Sequence, residues 1–335
     1  MILVTGGTGL VGSHLLYHLL LKKNTRLRAI HMQSSDLTAV KRVFSYYGSN
    51  GADLFNNIHW VEADLNNIPS LEVAFQGITH IYHCAAMVSF SSGDYQKMRR
   101  VNIEGTTNIV NLCISNQIKK LCFVSSVAAI ENGIEGELID ESDNWNNSSD
   151  KSGYAITKYG AEMEVWRGSQ EGVDVVIVNP GIILGSGFWH KGTGNMFGRI
   201  NKGLNFYTDG IAGFVCVKDV VQAMMLLMSS EVINERFILV GENLSFRKVL
   251  SMIADSLNKE KPKIKINKFL SEFLWRFELL RSKMTFTAPL LTKYSARASV
   301  SNHPYTSEKI EKTFGFKFTS ISDCITDTAN HFKKK

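Results

Sequence analysis

Residues 1–16 read MILVTGGTGLVGSHLL, four apolar residues running directly into Gly6, Gly7, Gly9 and Gly12. An apolar-periodic run follows, with Val11, Leu15, Leu16, Leu19 and Leu20 at helical spacing. Two glycine patterns overlap, Gly6-x-x-Gly9-x-x-Gly12 and Gly7-x-Gly9-x-x-Gly12. Either pattern alone is weak, but a buried strand before it and a helix after it give it meaning. Such a segment turns sharply off the strand, brings backbone close to a pyrophosphate and aims a helix N-terminus at the charge. A Cβ at the close-approach position would hold the phosphate away. His14 and His18 share a helix face, but no carboxylate stands at ligand spacing. They read as surface residues, and no metal site is expected. With no charged n-region before the apolar start and no small-residue cleavage site after it, no secretory signal is expected.

Strand and helix patterns then alternate. RLRAIHM, IHWVEAD, THIYHCAA, KLCFVSS and VDVVIVNPG read as strands two to six. DLTAVKRVFSYY, SLEVAF, a stretch from about Tyr95 to Asn116, and YAITKYGAEMEVW read as the helices between them. The pattern predicts an α/β fold, a doubly wound parallel Rossmann sheet, followed by a smaller, mostly helical C-terminal substrate lobe. We assign residues 1–180 to the dinucleotide domain, with returns around 212–240, and 181–335 to the partly interleaved lobe.

Composition narrows the class. The chain has 335 residues and 44% hydrophobic content, enough for a large core. No apolar run approaches the ~18 residues that cross a bilayer. Five scattered cysteines without a CxxC pair argue against a disulfide framework or zinc site and fit a reducing cytoplasm. Of the net charge of +6, residues 259–335 carry 16 Lys+Arg against 7 Asp+Glu, while the remainder carries 21 against 24. That basic lobe suits an acidic substrate, a nucleotide or an anionic membrane, or is solvated surface. No Arg/Lys stripe interleaved with aromatics points to nucleic acid.

Ligands of doubly wound sheets lie beyond the C-terminal strand ends. There the sequence places Asp64-Leu65, Ala85-Ala86, Ser125-Ser126 and Asn179-Pro180-Gly181. In the helix after the fifth strand, Tyr154 and Lys158 stand four apart on one face. A lysine ammonium beside a phenol lowers its pKa from about 10 toward neutrality, making a usable general acid. A serine hydroxyl can hold the same carbonyl oxygen, so the trio suits ketone reduction or alcohol oxidation beside a nicotinamide. Tyr305 and Lys309 repeat the spacing, but follow Pro304 in the lobe and flank Ser307, which reads as a helix N-cap. That copy is a decoy.

These residues resemble the extended short-chain dehydrogenase/reductases over nearly the whole chain. TGGTGLVG resembles the family's cofactor loop, which implies cofactor contacts from Gly6, Thr8, Gly9, Leu10, Val11 and Gly12. EADLNN resembles its adenine-contacting Asp-Leu, here Asp64 and Leu65, and VNIEGTTNIV the helix carrying a structural Asn, here Asn102. FVSSVAAI aligns Ser126 with the catalytic serine, YAITK supplies Tyr154 and Lys158, and NPGIILG the proline loop with Pro180. Lys158 would also hold the nicotinamide ribose, with Ala85, Ala86 and Met32 along the cofactor. GFVCVKDVVQAM and HPYTSEKIEKTFGFKF resemble the lobe signatures of the dihydroflavonol-reductase and 3β-hydroxysteroid-dehydrogenase-like branch.

Departures from the family narrow the reaction. The Thr-Asp-Glu cluster of its sugar-nucleotide dehydratases is replaced by SSVAAIEN, which disfavours elimination. Epimerisation stays open through Arg199, Lys202, Lys191 and Lys218, candidates for a substrate diphosphate, as does a non-catalytic dinucleotide sensor, which typically lacks the Tyr/Lys pair. In KFLSEFLWRFELLRSKM, Phe269, Phe273, Phe277 and Leu280 share one helical face, beside Leu270 and Leu274. The stripe is read first as core, then as a lipophilic substrate wall, then as a membrane-surface helix. NAD-specific members place an Asp at the end of the second strand, where AIHMQSSD has no acid before Asp36. An Arg marking NADP is missing at Met32, yet Ser34, Ser35, His31 and the Lys41-Arg42 pair remain. The balance favours NADP(H) over NAD(H). The expected partners are a small, bulky or apolar substrate, a peripheral membrane contact and a second copy of the chain in a homodimer.

Overall fold

The computed structural model describes residues 1–130, 136–143, 145, 151–285 and 291–334. The elements begin β1 (Ile2–Thr5), α1 (Leu10–Leu20), β2 (Leu27–His31), α2 (Leu37–Ser45), α3 (Gly51–Asn56), β3 (His59–Glu62), α4 (Ile68–Phe75) and β4 (His80–His83). There follow α5 (Tyr95–Met98), a π-helical stretch at Arg99–Glu104, α6 (Gly105–Ser115), β5 (Lys120–Val124), α7 (Gly153–Gln170) and β6 (Asp174–Pro180). Next come β7 (Ile182–Leu184), α8 (Gly194–Asn201), β8 (Phe206–Tyr207), β9 (Ile211–Cys216), α9 (Val217–Ser229), β10 (Glu235–Leu239) and β11 (Glu242–Ser245). The last are α10 (Phe246–Leu257), β12 (Ile264–Lys265), α11 (Lys268–Thr285), α12 (Lys293–Ala298), α13 (Glu308–Phe314) and α14 (Ile321–Lys333).

A seven-stranded parallel sheet in the order β10-β6-β5-β4-β1-β2-β3 forms the frame. Its strands are apolar on both faces because helices cover both. Val176 and Val178 of β6 join one core with Leu15, Leu16, Val220 and Met224, whereas Val175 and Ile177 join Leu71, Ile109 and Val165 on the other side. The period of two thus divides a single strand between two cores. Strand order reverses between β1 and β4, and the crevice at their C-terminal ends is the natural ligand position.

Two small sheets, β11-β9-β7 and β12-β8, lie outside this frame, so the lobe holds strands as well as helices. The return to the large sheet is made by β10, with α9 packed on β6 and α1. β9, inside the anticipated return, belongs to the smaller sheet instead.

The Phe269 stripe corrects the core reading. Phe269, Phe273, Phe277, Leu280 and Met284 are 85%, 62%, 59%, 58% and 73% exposed. α11 attaches through its opposite face, where buried Ser271 donates to Ala296 O of α12 at 3.2 Å and Glu272 pairs with Arg297 at 2.8 Å. His14 also departs from expectation. It is buried against Tyr47 and Ser186, because α1 turns this face toward the α2 end and the loop after β7.

Candidate functional site

The first turn is built as its glycines require. Gly6 has φ +67°, and a Cβ there would lie 2.5 Å from Ala85 N. A Cβ on Gly12 would lie 2.2 Å from Gly6 O, so α1 packs against the turn only because that atom is missing. Gly9 differs: it is exposed, and its nearest obstruction would be Gly6 O at 3.4 Å. The chain itself leaves room on that side. Gly9 is the N-cap of α1 and supplies no side-chain acceptor, whereas Asp36, Asn67, Ser152 and Ser245 cap α2, α4, α7 and α10. The leading amides of α1, at Leu10, Val11 and Gly12, therefore lack a side-chain cap, the condition that suits a phosphate. Thr8 is half-buried in the same turn.

Next to the turn, a buried relay holds the end of β4. Thr106 Oγ1 donates to Asn102 O, so it accepts from His83 Nε2 at 3.0 Å. His83 Nδ1 is then the acceptor for Thr5 Oγ1 at 2.6 Å, and Thr5 Oγ1 accepts from Ala85 N at 3.3 Å. Burial, with the Lys158 charge adding to it, drives His83 down to about 3 and keeps this tautomer uncharged. Asn102 is buried, and its amide clamps Met87 N at 2.7 Å, Met87 O at 2.9 Å and Thr157 Oγ1 at 3.1 Å. It thus positions the loop carrying Ala85 and the exposed Ala86.

At the adenine end, Met32 is exposed in a turn where Ser35 N donates to Met32 O at 2.9 Å and Met32 N to Ser35 Oγ at 3.1 Å. Asp36 turns away from this turn and accepts from Thr38 N and Ala39 N at 2.9 and 3.1 Å. Asp64 is exposed and accepts from Asn66 N at 2.8 Å, while Leu65 is buried and its carbonyl accepts from Asn108 at 2.8 Å.

The proposed reacting end lies over β5 and β6. Ser126, directly after β5, accepts from Ala128 N at 3.2 Å and stands near enough to Tyr154 for its hydroxyl to act on the phenol. Ser152 caps α7 by accepting from Ala155 N at 3.1 Å, which sets the helix that carries both Tyr154 and Lys158. Lys158 is buried, with Nζ donating to Val124 O at 2.7 Å and lying 4.4 Å from the Phe123 ring centroid. Burial lowers it to about 8, against the opposing pull of Glu162 and Cys84. Burial raises Tyr154, and the Ser126 hydrogen bond opposes that rise. The anticipated lowering of the phenol by lysine is therefore not the controlling effect here: the ammonium is turned to Val124, and desolvation dominates. Pro180 ends β6, and Gly181 N donates to Leu239 O at 3.0 Å. Asn179 sends Nδ2 to Ser126 O at 3.1 Å and to Glu162 at 2.8 Å, while its buried Oδ1 has no protein partner. An orphaned acceptor at the C-terminal end of β6, on the same edge of the sheet as the uncapped turn, fits a bound dinucleotide.

Glu162 was not singled out by the sequence reading, although it follows Lys158 by one helical turn. It is fully buried and accepts from Ser125 at 2.5 Å, Asn179 at 2.8 Å, Trp166 at 3.4 Å and Arg236 at 3.2 Å. Phe90 was missed as well; its ring centroid is 6.0 Å from that of Tyr154, and it is partly exposed beside exposed Val88.

The decoy pair is split: Tyr305 packs with Val127 against Val240 at the C-terminal end of β10, whereas its lysine lies at the other end of that strand. Lys309 Nζ binds Glu235 and donates to Arg236 O at 2.9 Å, at the N-terminal end of β10. Ser307 precedes α13 but does not cap it; its hydroxyl bridges Val240 N at 2.7 Å and Val240 O at 3.0 Å. Glu131 and Asn132 of SSVAAIEN lie outside the described residues. Among those described, no helix is long and apolar enough to cross a membrane.

Residues 2–241 match the model of the NAD dependent epimerase/dehydratase family. The chain is 26% identical to sterol demethylase protein B of Methylococcus capsulatus over 344 residues, covering 99% of this chain and 98% of that one. It is 28% identical to anthocyanidin reductase of Arabidopsis thaliana over 300 residues, covering 81% of this chain and 82% of that protein. The crystal structure of gox2253 superposes with a TM-score of 0.82 at 26% identity, covering 100% of this chain and 98% of that one.

Proposed function

Because the chain belongs to the NAD dependent epimerase/dehydratase family, we propose that it interconverts a ketone or aldehyde and the corresponding alcohol on a bulky, apolar substrate. The observation that carries this reading is the juxtaposition of Ser126, directly after β5, with Tyr154 on α7 and Lys158 one turn further along that helix. When bound, the nicotinamide dinucleotide supplies or accepts the hydride at the carbonyl carbon. The chain handles the proton. Burial keeps the Tyr154 phenol protonated, so it donates its proton to the substrate oxygen in the reductive direction. Ser126 holds that oxygen by a second hydrogen bond. Lys158 has three N–H donors, one of them given to Val124 O. The others suit the ribose hydroxyls and the tyrosinate left after proton transfer.

Gly6, Thr8, Gly9 and the amides of Leu10, Val11 and Gly12 would hold the pyrophosphate, with Ala85, Ala86, Asn179 and Pro180 along the nicotinamide half. Asp64, Leu65 and Met32 would meet the adenosine, the choice there falling on NADP(H). The exposed Ser34 hydroxyl and the backbone of the 32–35 turn suit a 2′-phosphate, and Asp36 is committed to capping α2. Phe90 and Val88 beside Tyr154 supply an apolar wall, in keeping with relatives named for a sterol and an anthocyanidin. A sugar-nucleotide epimerase has less support: Lys191, Arg199 and Lys202 are exposed, and Lys218 pairs with Asp327 at 2.8 Å. Five unpaired thiols suit a reducing cytoplasm.

The test is a screen of steroid, flavonoid, CoA-linked and UDP-sugar substrates, following nicotinamide absorbance. Net cofactor turnover on an apolar carbonyl is expected. Conversion of a UDP-sugar without net cofactor change, and no turnover on carbonyls, would overturn the reading.

A further inference from the structure

We propose that α11 is a docking helix that lays the C-terminal lobe on an anionic lipid surface. This goes beyond the hydride-transfer reading and does not depend on it. The helix is inverted relative to an ordinary surface helix. Its protein-facing side attaches through Ser271 to Ala296 and Glu272 to Arg297, with Leu274 and Trp275 half-buried, while Phe269, Phe273, Phe277, Leu280 and Met284 face outward. At 100° per residue these five positions fall within an 80° stripe, continuous over four turns. Single exposed apolar residues need no explanation, but five large ones in one line mark a surface that something covers.

The charge around the stripe says what covers it. From Lys259 to Arg297 the sequence has ten Lys or Arg and three Asp or Glu. Lys265, just before the helix, and Arg276 and Arg281 on it are exposed or partly so. Arg276 projects beside the stripe, one position from Phe277 and three from Phe273. The three acids of the segment are paired with its own cations, Glu260 with Lys263, Glu272 with Arg276 and Arg297, and Glu278 with Arg281, and Asp209 and Asp255 from outside it meet Lys265 and Lys261, which leaves a surplus of five positive charges. An aromatic line flanked by net positive charge matches a membrane interface carrying anionic headgroups, where rings enter the acyl boundary and cations stay at headgroup level. A second copy of the chain would bring two such basic segments together and is disfavoured by repulsion. The 18-residue helix carries six charged residues, so it lies on the bilayer and does not cross it.

The experiment is vesicle co-sedimentation of the full chain, using phosphatidylcholine alone and phosphatidylcholine with phosphatidylserine. Binding is expected only to the anionic vesicles and should weaken as salt screens the headgroups. Phe273→Ser with Phe277→Ser should lower partitioning by at least about tenfold, since both rings lose their burial at the acyl boundary. Phe273→Leu with Phe277→Leu should retain most of it. Thermal melts check that the variants keep the fold. Equal sedimentation with both vesicle types, unchanged binding by the serine variant, or a wild-type dimer that the serine variant converts to monomer would each overturn the proposal. The last outcome would make the stripe a protein interface.

Discussion

Arg236 Nη1 lies 3.2 Å from Glu162 Oε1, and the carboxylate it meets is fully buried beneath Lys158. The pair joins β10 to α7, and Arg236 also donates to Glu141 O and Asp143 O at 2.7 and 2.8 Å. Removing the guanidinium would leave the buried acid without its ion-pair partner, so Arg236→Ala should cost about 3–5 kcal/mol of stability. Glu162→Gln keeps the shape and removes the charge that holds Lys158 up against burial. Lys158 should then lose its proton below its present value of about 8. The alkaline limb of the turnover profile should move to lower pH in Glu162→Gln, and an unshifted limb would show that the acid serves only packing.

The glycine turn separates folding from binding. Gly9 has open space where a side chain would go, so Gly9→Val should fold and fail to bind dinucleotide. Gly12 has Gly6 O only 2.2 Å from the position of a Cβ, so Gly12→Val should melt at markedly lower temperature. Calorimetric titration beside thermal melts distinguishes the two losses. Normal dinucleotide affinity in Gly9→Val would remove the phosphate role of the turn.

Much of this was legible because it is written in local chemistry. Glycine spacing fixed the β1–α1 turn, and short apolar runs alternating with helical patterns fixed six strands of the large sheet. The Tyr154–Lys158 face followed from helical spacing. What escaped depends on which elements meet in space. Glu162 looked like any helix acid until Ser125, Asn179 and Arg236 converged on it from three strand ends. The Phe269 stripe looked like core, since amphipathic periodicity says which residues share a face but not whether that face turns inward. His14 was misread for the same reason, its partners Tyr47 and Ser186 being 33 and 172 positions away.

That histidine should make the fold acid-sensitive. His14 Nε2 donates to Ser186 O at 3.0 Å and Nδ1 accepts from Tyr47, while burial lowers it from 6.5 to about 4. Between those values the unfolded chain binds a proton that the folded chain refuses. The stabilisation is fully present above pH 6.5 and is lost as pH falls toward 4, amounting to on the order of 3 kcal/mol. Denaturant melts across that window should show a shallower slope in His14→Gln. An identical slope would assign the acid sensitivity elsewhere, with His83 the next group to test.

Dinucleotide choice should follow the β2 end. Asp36 spends its carboxylate on the α2 amides, and Lys41 lies over the Phe55 ring at 5.0 Å, away from the Met32–Ser35 turn. The 2′-phosphate would therefore meet hydroxyls and backbone more than a fixed cation, giving a modest preference for NADP(H). Met32→Arg should sharpen it by about 1–3 kcal/mol through charge-assisted hydrogen bonds. Titration of both dinucleotides against the wild type checks the base preference, and tighter NAD(H) binding would reverse the assignment.

The two Tyr-x-x-x-Lys copies give the sharpest test of the chemistry. Tyr154 stands beside Ser126 at the C-terminal end of the sheet, whereas the lysine four residues after Tyr305 is held by Glu235 at the opposite end of β10. Only the first can deliver a proton where a nicotinamide would lie. Tyr154→Phe removes the transferable proton and keeps the ring against Phe90, so turnover should fall roughly 10²–10⁴-fold. Dinucleotide affinity should stay near wild type, because Lys158 and the glycine turn are untouched. Tyr305→Phe should leave turnover unchanged. Steady-state rates with both variants, set beside dinucleotide titrations, decide the matter. A Tyr154→Phe protein that turns over at the wild-type rate would put the proton donor on another residue.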